Sequence, residues 1–211
     1  MNIVVLISGS GSNLQAILDA CRSGWIAGQV VGVLSNRADA YGLVRAVEAG
    51  IPVATIAHRD YPSREDFDAA MQQQIDSWQP DMVVLAGFMR ILTPGFVRHY
   101  EGRLLNIHPS LLPRYKGLHT HRRVLATGDR LHGCSVHYVN AELDGGPVIT
   151  QGVVQVHPAD NEQILTEKVH TVEHRLYPQV LSWMASGRLV YRDGSPVLDG
   201  RKLQQPVQLL F

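Results

Sequence analysis

Ile3 to Ile7 reads IVVLI, an unbroken apolar run with β-branched character, followed at once by the loop SGSGSN and the amphipathic stretch LQAILDACR. An apolar run this short, without polar alternation, describes a strand covered on both faces, as in a parallel sheet. The pattern returns along the first half of the chain. Val30 to Leu34, Pro52 to Ile56, Asp81 to Ala86 and Leu104 to Ile107 read as further strands. Helical stretches fall between them, one over Tyr41 to Ala49 stopped by Gly50 and a longer one from Ser63 to Trp78. Ser63 is placed to cap that longer helix, and Glu65 and Asp66 suit the positive end of its dipole. Strands alternating with helices predict an α/β fold, a mostly parallel, Rossmann-like doubly wound sheet with helices on both faces.

The second half predicts something different. After the proline-punctuated loop HPSLLPRYKG, a short helix is expected near His121. Gly133 to Val139 and Pro147 to Val156 read as strands joined by NAELDGG, whose Asp-Gly-Gly turn predicts an antiparallel C-terminal addition to the sheet. Asn161 to Ala185 reads as one long helix, with Pro178 as a point of kinking or interruption. The last twenty residues show no clear element. No repeat, low-complexity tract or linker divides the chain, so residues 1–211 are expected to form a single domain, with the tail from about 192 left unassigned.

Composition narrows the function classes. The 211 residues carry 19 Lys+Arg against 19 Asp+Glu, with 45% hydrophobic and 18% charged residues. Such a chain can bury a substantial core, and its balanced charge argues against disorder and against coating a polyanion. Cys21 and Cys134 form no CxxC pair and are expected to be reduced thiols. No segment reaches the ~18 apolar residues of a membrane span. The N-terminus lacks a basic stretch and reads as a buried strand rather than a signal peptide. A soluble, cytoplasmic protein is expected.

Ser8-Gly9-Ser10-Gly11-Ser12-Asn13 lies between the first strand and the first helix, where backbone N–H groups can hold a phosphate. Small residues permit close approach, and Ser12 and Asn13 add side-chain donors. The dinucleotide fingerprint fails at Leu14, where a third glycine would stand, and no GK[ST] follows for a nucleoside triphosphate. A single monophosphate suits the loop; a plain strand-to-helix turn is the bland alternative.

Asn106 and His108 are two residues apart at the end of a strand, so both point to one face, just before Pro109. Ligand sites in open parallel sheets lie beyond such strand ends. An amide donor beside an imidazole suits an oxyanion developing on a carbonyl under attack. Asp144, in the Asp-Gly-Gly turn, could accept from His108 if the loop folds back and would favour the imidazolium. Packing and turn formation remain the bland readings of these residues.

SGSGSNLQA, AGFMRIL at 86–92, NIHPSLLPRYKGLHTH at 106–121 and HGCSVHYVNAELDGGPVI at 132–149 together closely resemble the folate-dependent phosphoribosylglycinamide formyltransferases. The resemblance runs to about Tyr191. HPSLLP and DGGP are shared with other formyltetrahydrofolate-using enzymes, whereas SGSGSN combined with KGLHTH is more specific. It implies the formyltransferase fold and Asn106, His108 and Asp144 as a catalytic trio. It implies that Gly11, Ser12 and Asn13 hold the phosphate of glycinamide ribonucleotide, with Glu173 and its neighbours His170, Thr171 and Val172 at the ribose. Met89, Arg90, Ile91 and Leu92, together with Asn106 and with Asn140, Ala141, Glu142, Leu143 and Asp144, would line a folate pocket. Arg64 would stand at its outer edge, and Leu85, Ile91, Leu92, Val97 and Leu104 would flank the pterin while also packing the core. The co-substrate implied is 10-formyltetrahydrofolate, with no metal, no nucleic acid and no membrane partner; the oligomer is left open between monomer and homodimer.

Four rivals set the alternatives. A hydrolase passing the same formyl group to water carries an extra N-terminal domain in its near relatives, and this chain begins at strand one. An enzyme formylating initiator tRNA would need a basic C-terminal domain, for which there is no room. Arg114, Lys116, Arg122 and Arg123 form a local basic cluster better read as solvated surface. His170 and His174, four apart on a helix beside Glu173, have a zinc-compatible spacing but no HExxH and no clear third ligand. A non-catalytic nucleotide-binding module would leave the polar trio unexplained.

Overall fold

The computed structural model describes residues 1–210, which pack as two compact units, Met1–Asn106 and the residues from Ile107 onward. The first unit is built on β1 (Asn2–Ile7), whose residues 3 to 7 are wholly buried. Around it run α1 (Ser12–Arg22), β2 (Gln29–Ser35), α2 (Tyr41–Glu48), β3 (Val53–Thr55), a 3-10 turn (His58–Asp60), α3 (Arg64–Ser77), β4 (Met82–Leu85), α4 (Pro94–His99) and β5 (Leu104–His108). The strand order is β3-β2-β1-β4-β5, and every pairing is parallel. This is the sheet expected from the alternating runs. Leu14, Ile17 and Leu18 give α1 one apolar stripe, and all three are buried. Ser63 caps α3, its Oγ accepting from the Asp66 amide at 3.0 Å.

α4 lies outside the sequence expectation, because six residues are too few to display a periodicity. Its local signal is the pair Thr93–Pro94. The Thr93 hydroxyl accepts from the Phe96 amide at 3.3 Å, and Pro94 fills the first helical position, where a missing N–H costs nothing.

β5 carries the chain into the second unit, which contains α5 (Thr120–Thr127), β6 (Leu131–Tyr138), β7 (Val148–Gln155) and α6 (Glu162–Ala185). β6 and β7 pair antiparallel across the Asp-Gly-Gly loop, as expected. α6 continues through Pro178 as one helix of 24 residues, and Pro178 is buried within it. The reading of the last twenty residues as lacking any element is wrong. β8 (Leu189–Arg192), β9 (Ser195–Leu198) and β10 (Arg201–Lys202) form a small antiparallel sheet, and β11 (Val207–Leu210) adds parallel to β7. Asp193-Gly194 and Asp199-Gly200 make its turns, all four residues at positive φ between 50° and 76°. Asp-Gly with both residues left-handed is the two-residue hairpin turn that matches strand twist. Four-residue strands hid the periodicity, but the two Asp-Gly pairs were a readable signal. No helix among the described residues is long and apolar enough to cross a membrane.

Candidate active site

The glycine loop of the first unit is fixed by α2. Gly11 is the N-cap of α1 at φ 69°, and a Cβ there would stand 2.5 Å from the Cα of Gly42. Only glycine tolerates both the left-handed backbone and this approach. The Gly42 amide donates to the Gly9 carbonyl at 3.0 Å. Arg45, one turn along α2, donates from Nε to the Ser10 carbonyl at 2.9 Å and from Nη1 to Gln15 Oε1 at 3.2 Å. No side chain makes a capping hydrogen bond at the Gly11 N-cap of α1, and a helix N-terminus is an end that suits an anion.

The strip 89–92 follows β4 and is tethered at three points. The Met89 amide donates to Ser8 Oγ at 2.8 Å, and Ser8 in turn donates to Asn36 Oδ1 at 2.6 Å. Arg64 Nη2 donates to the Ile91 carbonyl at 2.8 Å. The Thr93 amide donates to the buried carboxylate of Asp68 at 2.6 Å. Arg64 thus meets the backbone of the strip. Met89 and Ile91 are 66% and 63% exposed, two large apolar side chains held open by backbone tethers. Leu85, Val97 and Leu104 are buried core residues. Asn106 stands in β5 opposite Leu85, half-buried, two residues before His108.

In the second unit His108 and Asp144 come together. His108 Nδ1 lies 3.4 Å from Asp144 Oδ2, with both side chains only 8% exposed. His108 Nε2 lies 2.9 Å from the Tyr115 carbonyl. A carbonyl only accepts, so Nε2 carries a proton and donates to it. Both ring nitrogens therefore face acceptors, an arrangement that the doubly protonated ring satisfies. The carboxylate is held in turn. The Gly117 amide donates to Asp144 Oδ2 at 2.9 Å, and His137 Nε2 stands 3.8 Å from Oδ1. Burial holds the His137 imidazole below the usual histidine range, against the pull of Asp144. Tyr115, Gly117 and His137 escaped the sequence reading. Two of them act through backbone groups, which carry no residue-type signal.

The loop that presents Asp144 is narrowly built. Asp144 sits at φ 48°, and a Cβ on Gly146 would fall 1.9 Å from the Tyr138 carbonyl. The Glu142 amide donates to Asn140 Oδ1 at 3.0 Å, and Lys116 pairs with Glu142 at 2.6 Å. Ala141 and Leu143 are exposed along the same loop. On α6, Glu173 is 4% exposed and Val172 packs in the core, while His170 and Thr171 face outward. His170 and His174 stack at 6.1 Å, and among the described residues no group of three ligating side chains surrounds them or any other point.

Comparison with known proteins gives the family of the chain. A family model described as formyl transferase matches residues 1–181. Phosphoribosylglycinamide formyltransferase of Escherichia coli K12 is 58% identical over 203 residues, covering 96% of each chain. The trifunctional purine biosynthetic protein adenosine-3 of Homo sapiens is 44% identical over 185 residues, 88% of this chain and 18% of that protein. The solved phosphoribosylglycinamide formyltransferase of Coxiella burnetii superposes with a TM-score of 0.95 at 51% identity, covering 99% of both chains. The glycinamide ribonucleotide transformylase 1 structure from Symbiobacterium toebii gives 0.91 at 45%, over 94% of this chain and 93% of that one. With its parallel sheet, its uncapped glycine loop and its buried histidine–aspartate pair, the chain belongs to the phosphoribosylglycinamide formyltransferase family of formyl transferases.

Proposed function

We propose that this enzyme transfers the formyl group of 10-formyltetrahydrofolate to the glycinamide amine of N1-(5-phosphoribosyl)glycinamide. The products are the N2-formyl compound and tetrahydrofolate, in de novo purine biosynthesis. The observation that carries the assignment is the His108–Asp144 pair, nearly buried and 3.4 Å apart. Gly11, Ser12 and Asn13 take the substrate phosphate, and Glu173 accepts from the ribose hydroxyls beside His170, Thr171 and Val172. Met89 to Leu92 and Asn140 to Asp144 take the folate, with Arg64 at the outer edge.

The neutral amine attacks the formyl carbon, forming the new C–N bond and placing negative charge on the formyl oxygen. Asn106 and the charged His108 donate to that oxygen. Asp144 faces Nδ1 and holds the ring as a countercharge to the imidazolium, while the Gly117 amide fixes the carboxylate. The amine proton passes through a water held at Asp144 and His108 to the folate nitrogen, whose bond to carbon then breaks. His108 Nε2 donates to the Tyr115 carbonyl in this structure. That carbonyl must share or release the proton for Nε2 to reach an oxyanion. Neither nucleophile nor leaving group requires an activated metal-bound water.

The family model spans residues of both units, which supports reading 1–211 as one formyltransferase domain. Cys21 and Cys134 are unpaired thiols, which favours a reducing compartment, and we place the enzyme in the cytoplasm. The test is optical. Purified protein is mixed with 10-formyltetrahydrofolate, and loss of the formyl group is followed with and without glycinamide ribonucleotide. Turnover that requires the ribonucleotide is expected. Formyl loss without it indicates a hydrolase and overturns the proposal.

A further inference from the structure

The stretch from Pro109 to Arg114 belongs to no helix or strand, yet Ser110 and Leu112 within it are buried. Buried backbone without a ladder needs partners from elsewhere. Two polar side chains of the antiparallel β6–β7 pair supply them. Ser135 of β6 and Gln151 of β7 stand opposite each other in register, and both are buried. Ser135 Oγ donates to the Ser110 carbonyl at 2.7 Å and accepts from the Leu112 amide at 3.0 Å. Gln151 Nε2 donates to the Leu112 carbonyl at 2.8 Å and to Ser135 Oγ at 3.0 Å. A carbonyl only accepts, so the Gln151 amide has one orientation here, and its Oε1 accepts from Gln208 of β11 at 3.5 Å. Ser110 Oγ draws the loop together by donating to the Arg114 carbonyl at 2.7 Å. Burying a serine and a glutamine is unfavourable unless their polar atoms are met. The bonds of this pair run chiefly to the loop.

The loop leads straight to Tyr115, whose carbonyl accepts from His108 Nε2 at 2.9 Å across a separation of seven positions. That bond closes the segment into a ring, and Ser135 and Gln151 pin the middle of the ring to the sheet. The Tyr115 hydroxyl is anchored at Thr127 Oγ1, 2.7 Å away, but an anchor at the tip of a side chain does not by itself fix the direction of the carbonyl. We infer that Gln151, with Ser135 across the strand pair, is a positioning residue for the reaction. It sets where the Tyr115 carbonyl stands and, through it, the plane of the His108 ring. The inference rests on His108 being the group that meets the formyl oxygen. In that reading the Nε2 proton is shared between the carbonyl and the oxyanion, and sharing demands a carbonyl at one fixed place. With the pair removed, the carbonyl shifts, the ring turns with it and the donor misses the oxygen. A misplacement of about 1 Å costs on the order of 100-fold in rate.

The test sets Gln151→Met and Ser135→Ala beside Thr150→Val, each in the full-length protein. Thr150 is the matched control. It is buried one position before Gln151 and donates from Oγ1 to the Val207 carbonyl at 2.6 Å, a bond of the same strand that serves β11 and not the loop. Gln151→Met and Ser135→Ala are expected to lower kcat about 10- to 100-fold, with both substrate KM values within about twofold of wild type. Thr150→Val is expected to lower the urea midpoint by a similar amount but to keep kcat within about twofold. Nuclear magnetic resonance of protein carrying isotopically labelled histidine gives a readout that needs no turnover. Wild type is expected to show a protected His108 Nε2–H cross-peak, assigned by its absence from His108→Ala. It should broaden or exchange away in Gln151→Met and Ser135→Ala and persist in Thr150→Val. Unchanged or raised kcat in the first two variants overturns the inference, as does the absence of a protected cross-peak in wild type. An equal fall of kcat in Thr150→Val reduces the pair to a stabilising role and overturns it too. A fall in kcat with the cross-peak intact does the same, since the effect then bypasses His108. If Gln151→Met does not fold, Ser135→Ala, which removes only a hydroxyl, carries the comparison. A wild type that turns over no glycinamide ribonucleotide overturns the proposed reaction instead, and the cross-peak then decides the tether alone.

Discussion

His108 meets an acceptor at each ring nitrogen, and only one of the two acceptors is charged. Asp144→Asn removes that charge while keeping the shape of the side chain and the contact available to the Gly117 amide. Turnover is expected to fall on the order of 100- to 1,000-fold, the usual loss when a preorganised electrostatic contact to the reacting charge is removed. The KM for ribonucleotide should change by less than about threefold, and the far-ultraviolet dichroism should match wild type. Near-normal turnover would take the aspartate out of the mechanism. Gly146→Ala tests the same loop through its backbone. With the Tyr138 carbonyl 1.9 Å from the added carbon, the chain must shift, and a stability loss of about 2 kcal/mol or more is expected in urea titration, with activity falling alongside. Residues of this kind were legible unevenly. Asn106 and His108 stood out by their i, i+2 spacing before a proline, and Asp144 by its two glycines. The Tyr115 carbonyl and the Gly117 amide could not, because every residue carries such groups and only folding decides which ones face the histidine.

Between elements, α2 fixes the glycine loop proposed to take the substrate phosphate. Arg45 donates to the Ser10 carbonyl and to Gln15, and its guanidinium lies 4.9 Å over the Tyr41 ring. It therefore holds the Ser10 carbonyl against α2 and would place a positive charge behind the phosphate proposed for the loop. Arg45→Met keeps much of the aliphatic stem and removes the charge. The KM for glycinamide ribonucleotide is expected to rise about tenfold with kcat and the folate KM nearly unchanged, since the lost interaction is equal in ground and transition states. A fall in kcat with an unchanged KM would contradict that role. The strands and long helices around this contact were readable because buried runs and capping signals are local. The Ser63 cap is one instance. β8 to β10 and α4 were not read from periodicity, since two to six residues give at most two periods of a strand or fewer than two turns of a helix. Their turn and cap chemistry, Asp-Gly twice and Thr-Pro once, was the signal that remained.

At the scale of the whole chain, formal charges cancel at 19 against 19, so acid response is governed by individual buried groups rather than by a net field. His132 is 1% exposed and donates to or accepts from His121 at 3.0 Å; burial, then the charges of His121 and His108, push it down to about 3. Burial also lowers His137 and His121. Each of these groups stays neutral in the folded protein at a pH where the unfolded chain, near 6.5, takes up a proton. The unfolded state then binds more protons, so stability is fully present above about pH 6.5 and is lost as pH falls toward the folded values. Each such histidine contributes a slope of up to about 1.4 kcal/mol per pH unit within that window. Asp39, Asp129, Asp160 and Asp199 are all held below 3.8 by their cationic or hydroxyl partners. Their contribution disappears only at more acid pH, so it does not mask the histidine effect. Urea midpoints measured at pH 7.5, 6.5 and 5.5 should therefore hold between the first two and fall at the third. His132→Asn, whatever its own cost at pH 7.5, should reduce the drop by about one proton's worth. An equal drop in the variant would mean that His132 charges within the native state, against its burial among other histidines.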